Sequence, residues 1–206
     1  MYQNKDIEKL EDLTELAFEL IDGQIFAKES SFPLSDEQIA VLFSQNYTQE
    51  WLLNTIPMAS INHSKLISRI QRLIFLEMSK EYECYGEGFQ VAVSKKYLSF
   101  RKPDISISVV KNEIFDGNSL LNPISVIEVL SPSTQEKDMN EKKEEYFKIA
   151  SLQEYILVSQ DLPKIRQFVR DNKNEWTMKI YDSKDQTCIM TVGVKISLEE
   201  LYNGIV

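Results

Sequence analysis

The chain has 206 residues, of which 43% are apolar and 10% aromatic: enough for a packed core of one ordinary domain, and too many for a disordered chain. Six Gly and six Pro exclude collagen-like and linker-dominated chains. The 23 Lys and Arg against 32 Asp and Glu leave a net charge of −9, which argues against a uniform nucleic-acid coat, because phosphate binding needs local positive charge.

The acidic head comes first. Residues 1–60 carry a net −8, whereas the remaining 146 carry −1 and residues 61–111 carry +4. The first twenty residues are acidic throughout and lack a basic stretch followed by an apolar one, so they do not read as a secretory signal. A short helix is expected over 7–16, followed by a strand pair in FELIDGQIFA that turns at Asp22-Gly23. A second helix is expected over 36–54, with Ile39, Leu42, Phe43, Trp51 and Leu52 packed on something larger.

Beyond Pro57, INHSKLISRIQRLIFLEMSK is a stronger helix, with Leu66, Ile67, Ile70, Ile74 and Met78 in an apolar stripe. Lys65, Arg69 and Arg72 lie on another face, either a solvated flank or a ridge facing phosphates. From Glu83 the pattern turns to strands: ECYGEGFQVAV, then YLSF, PDISISVV and, after a loop, ISVIEVL. The last is apolar apart from one carboxylate, as expected of a central strand buried on both faces. Ser133 and Glu136 have capping-box spacing and start a further helix. Strands follow in QEYILVS, KIRQFVR, EWTMKIY and TCIMTVGV, and a short terminal helix begins at Ser197. This order implies an α/β (α+β) fold, a mixed sheet flanked by helices. No apolar run approaches the ~20 residues that cross a bilayer. Cys84 and Cys188 share no CxxC spacing and read as reduced thiols of a cytoplasmic protein.

Several chemistries can be set aside. A single histidine, His63, excludes a multi-histidine zinc site, and there is neither a GxSxG elbow nor a GxxxxGK[ST] phosphate loop. What stands out is one carboxylate in each of two apolar strands, Asp104 and Glu128. Buried ionised carboxylates are costly unless paired or bound to a cation. Two on neighbouring strands would repel one another, which Mg²⁺ relieves. The alternative is that each pairs with a Lys or Arg or marks a strand end. In the following helix Asp138, Lys142 and Tyr146 share one face, which allows Lys142 to approach a scissile phosphate; otherwise it is a solvated lysine.

PDISISVV, VIEVLSPST, the Asp138/Lys142/Tyr146 set, QEYILVS and FELIDGQI together resemble the Uma-type restriction-endonuclease-like family of the PD-(D/E)xK nuclease superfamily. The resemblance covers about Phe18 to Ser159. It implies a core of order αβββαβ starting near Asn62, with Asp104, Glu128 and the Val129 carbonyl as ligands of Mg²⁺ or Mn²⁺ and Lys142 as the lysine of the motif. Glu19 and His63 would be accessory groups, as would Asp138 and Tyr146. Leu130 stands where the standard motif has its lysine, and the stretch 26–57 is longer than the usual link. The expected activity is hydrolysis of DNA phosphodiesters by metal-activated water, candidate phosphate contacts being Lys65, Arg69, Arg72, Lys95, Lys96, Arg101 and Lys102. The alternative is a nuclease fold kept as a nucleic-acid or protein binding module. Residues 1–57 are read as an acidic extension packed on a core of 58–206, within one compact domain and with a homodimer as a plausible assembly.

Overall fold

The computed structural model describes residues 1–28, 30, 32–57, 59–94, 99–131 and 135–206. The expected N-terminal helix is α1 (Asn4–Thr14), and it buries only Ile7 and Leu10 on its core side. The hairpin follows as β1 (Phe18–Ile21) and β2 (Gln24–Ala27), paired antiparallel. Asp22 and Gly23 both take positive φ, +48° and +76°, so the Asp-Gly signal marks a genuine tight turn. The helix expected over 36–54 is two helices, α2 (Asp36–Ser44) and α3 (Gln49–Thr55). Gln45 enters the left-handed region and ends α2, and Thr48 then caps α3 with its side chain.

The long helix α4 (Ile61–Glu77) buries His63, Leu66, Ile67, Ile70 and Ile74 along one stripe, and Ser60 caps it by accepting from the His63 N–H. Strands β3 (Tyr82–Tyr85), β4 (Gln90–Ser94), β5 (Ser99–Arg101) and β6 (Ile105–Val109) come next. Two short strands, β7 (Phe115–Asp116) and β8 (Ser119–Leu120), precede β9 (Ser125–Leu130), every residue of which is buried. The capping-box Ser133 lies outside the described residues. The helix it was expected to start runs as α5 (Gln135–Lys137), a π-helical turn (Asp138–Lys142) and α6 (Lys143–Phe147). The chain ends with β10 (Glu154–Ser159), β11 (Ile165–Arg170), β12 (Trp176–Tyr181), β13 (Thr187–Ile189), β14 (Lys195–Ser197) and α7 (Leu198–Tyr202). TCIMTVGV is therefore not one strand: Gly193 at φ +87° turns the chain and β13 pairs back on β14.

Two six-stranded sheets carry the architecture, in the orders β12-β11-β10-β9-β6-β3 and β2-β1-β5-β4-β8-β7. The first is mixed, because β9 runs parallel to β10 and antiparallel to β6. The second contains the N-terminal hairpin, through the pairing of β1 with β5, so residues 18–27 share a sheet with the strands that follow α4. Period-two alternation splits β9 between two cores. Ile127 and Val129 pack with α4 and the C-terminal hairpin, while Val126 and Leu130 pack with Tyr146, Tyr155 and Leu157. A third core joins α1, β1, β2 and α2. The mixed sheet flanked by helices, with its N-terminal helix and hairpin, is the fold class expected from the sequence.

Candidate metal centre

The alternation that sends Val126 and Leu130 toward the α6 side sends Glu128 there as well. Across the antiparallel ladder, Ile105 pairs with Ile127, and Asp104 is the residue that precedes this ladder as Glu128 follows it. The Val129 N–H donates to Asp104 Oδ2 at 2.7 Å, which fixes that carboxylate against β9. Both carboxylates are nearly sealed from water, at 1% and 2% exposure.

Each meets a lysine. Lys142 Nζ lies 2.8 Å from Asp138 Oδ1 and 3.3 Å from Glu128 Oε1, and the Tyr146 hydroxyl donates to the same Glu128 oxygen at 3.0 Å. The π-helical turn holds Asp138 and Lys142 inward together. Leu130, two residues beyond Glu128, lies in the apolar core, and the ammonium beside Glu128 comes from the helix. On the other side Lys28, at the exit of β2, donates to Asp104 Oδ1 at 2.7 Å and to Glu87 Oε1 at 3.0 Å. His63 Nε2 is 3.4 Å from Asp104 Oδ1 and 4.0 Å from Glu87 Oε1.

The electrostatics differ between the two carboxylates. Burial pushes the Asp104 carboxyl up, but the charges of Lys28 and His63 and their hydrogen bonds outweigh it and hold the group well below the usual range. Burial pushes Glu128 up to about 8, with Asp104, Asp138 and Glu19 adding to the rise and Lys142 opposing it. The difference follows from geometry, because Lys142 lies nearer Asp138 and is shared. Burial would strip the Lys142 ammonium of its proton, but Asp138 and Glu128 hold it well above its ordinary value.

A second ionic group borders this one. Arg101 is fully buried; it donates to Glu19 Oε2 at 3.0 Å, Glu141 Oε1 at 2.6 Å and Glu145 Oε2 at 2.7 Å. Glu19 Oε1 also accepts from the Lys102 N–H at 3.0 Å, and the Lys102 ammonium pairs with Glu11. Arg101 and Lys102, read as candidate phosphate contacts, are both buried and paired with carboxylates of the acidic head, the π-helical turn and α6. Lys65 and Arg72 are exposed on α4, whereas Arg69 turns inward and donates to the Leu201 carbonyl at 2.6 Å. Lys95 and Lys96 lie outside the described residues.

The structure therefore brings together Asp104, Glu128, Lys142, Asp138, Tyr146 and His63, with Glu19 bordering them through Arg101. Sequence reading missed Lys28 and Glu87. Glu87 had a faint signal, a charged residue between Gly86 and Gly88 at a strand turn. Lys28 had none, because its partner lies 76 residues away.

The mixed sheet flanked by helices makes this an α/β fold. The Uma2 family, described as putative restriction endonucleases, matches residues 5–199, and the chain belongs to that family. Two uncharacterised proteins of Synechocystis sp. (strain PCC 6803) are similar. One, slr1290, is 27% identical over 103 residues, covering 50% of this chain and 54% of its own length. The other, sll1609, is 28% identical over 123 residues, covering 58% of this chain and 69% of its own. The chain thus spans about half the length of the first of these relatives. A crystal structure of a putative nuclease belonging to DUF820 from Anabaena variabilis shares the fold, with a TM-score of 0.64 at 16% identity, over 94% of this chain and 93% of that one.

Proposed function

We propose that the chain is a divalent-metal-dependent endonuclease that hydrolyses DNA phosphodiester bonds, with Asp104, Glu128 and the Val129 carbonyl holding Mg²⁺ or Mn²⁺. The observation that carries the reading is the pair of buried carboxylates, Asp104 held against β9 and Glu128 within it, each braced by a lysine. Two such groups on adjacent strands need positive charge, and a hard oxygen donor set suits these cations. Asp104, Glu128 and the Val129 carbonyl would hold the cation, which would supply Lewis-acid chemistry to the phosphate and to water.

The protein's own contributions follow from geometry. The Val129 N–H fixes the orientation of Asp104, and Tyr146 fixes that of Glu128. Lys142, kept protonated by Asp138, puts a fixed positive charge beside Glu128 to stabilise negative charge developing on the phosphate. Lys65 and Arg72 would contact the DNA backbone from α4 and position it without reading its bases.

The test is nicking of supercoiled plasmid in Mg²⁺ or Mn²⁺. Wild type should cleave, and Asp104→Asn and Lys142→Met variants that retain the wild-type circular dichroism spectrum should lose at least 100-fold in rate. Equal rates in folded variants would refute the assignment. One observation favours a non-catalytic binding module instead: the lysines that brace both carboxylates already offset their charge without a metal. An unchanged melting midpoint at millimolar Mn²⁺ would support that second reading, since a ligand bound only by the native state raises the midpoint.

A further inference from the structure

Lys28 occupies an unusual place. It follows β2 in the acidic head, yet its ammonium sits between the buried Asp104 and the half-exposed Glu87. His63, Glu87 and Asp104 each offer a ligand atom, and these three atoms all lie within 4.8 Å of one another. They come from three places in the chain: the first turn of α4, the turn between β3 and β4, and the residue before β6. One imidazole nitrogen and two carboxylates make a donor set that suits Mn²⁺ and related divalent ions. The cation found among them is the chain's own, with its nitrogen 2.7 Å from Asp104 and 3.0 Å from Glu87.

We propose that Lys28 is a tethered counter-ion that closes the metal centre in the metal-free chain, and that a divalent cation enters by displacing its ammonium from Asp104 and taking His63 and Glu87 as further ligands. The inference rests on Asp104 being a metal ligand, as in the proposed function, and adds how that centre is regulated. Lysine suits the task. It is a compact charge on a flexible four-carbon stem, so it neutralises a carboxylate without the rigid two-pronged grip of arginine. Glu87, whose side chain is 47% exposed, marks the way out to solvent. Metal entry therefore exchanges one cation for another at Asp104, so that this buried carboxylate keeps a counter-charge.

Calorimetric titration of Mn²⁺ into the full chain tests this through K28Q, K28R, D104N and, in the K28Q background, E87Q and H63Q. K28Q should bind Mn²⁺ at least tenfold more tightly than wild type. K28R should bind it more weakly than wild type, because a guanidinium grips Asp104 with two hydrogen bonds. Simple charge repulsion without displacement would leave K28R equal to wild type, and that result overturns the proposal. So does an unchanged affinity in K28Q. Adding E87Q or H63Q to K28Q should reverse the gain, and no reversal removes those residues as ligands and overturns the proposal. D104N separates the two claims: if it binds Mn²⁺ as wild type does, the proposed metal centre itself is wrong, whatever Lys28 does.

Discussion

Arg101 is, at the residue scale, a fully buried cation ringed by carboxylates. Its guanidinium has five donors, and carboxylates of β1, the π-helical turn and α6 accept four hydrogen bonds from it. Removing the cation would take from Glu19, itself fully buried, the guanidinium it is paired with. Arg101→Met should cost about 3–5 kcal/mol in urea unfolding, the usual penalty for breaking a buried pair from one side. Glu154 supplies a pH test away from the metal centre. Its carboxylate accepts from Ser125, Gln167 and Thr191, which lower its pKa, but burial is the larger effect and raises it overall. A raised carboxyl stabilises the fold fully below the unfolded value of about 4.3 and loses that contribution as pH climbs through the folded value. The stability difference between wild type and Glu154→Gln should therefore shift against wild type across that rise. A pH-independent difference would contradict burial as the dominant influence on this carboxyl. At this scale the sequence revealed Asp104, Glu128 and Lys142, because a carboxylate in an apolar strand is conspicuous. It concealed Lys28, because an ion pair 76 residues long leaves no periodic trace.

Among the elements, α4 and the helix after β9 aim the site. Ser60 accepts from the His63 N–H at 3.1 Å and donates to Gln160 at 2.6 Å, so one hydroxyl starts α4 and ties it to the end of β10. Ser60→Ala should cost about 1–2 kcal/mol in thermal or urea unfolding, and Ser60→Asp should recover the capping part of it. A loss under a few tenths would mean that the helix start is fixed by packing instead. The nearly continuous apolar run ISVIEVL made β9 and its two-faced burial legible from sequence. The break between α2 and α3 was not, because Gln45 adopts a left-handed conformation that its residue type does not advertise. The π-helical turn was hidden for a similar reason: i, i+4 spacing fits an α-helix as well, and the two differ only in backbone hydrogen bonding.

For the whole molecule, the charge asymmetry has a structural destination. The head's net −8 is not an appendage held at a distance: Glu11 and Glu19 neutralise Lys102 and Arg101, and β1 and β2 join the sheet that contains β4 and β5. The local excess of +4 over residues 61–111 is thereby partly consumed inside, which leaves Lys65 and Arg72 of α4 as the exposed basic pair of the described helix. No helix among the described residues is long and apolar enough to cross a membrane. The proposed activity depends above all on Asp104 and Glu128 sharing a divalent cation. An anomalous-difference map from crystals soaked in Mn²⁺ tests that directly. The expected result is a peak within bonding distance of both Asp104 and Glu128, with the Lys28 ammonium moved off Asp104. A map with no peak at this pair, or with Mn²⁺ bound elsewhere while Lys28 still holds Asp104, would contradict it.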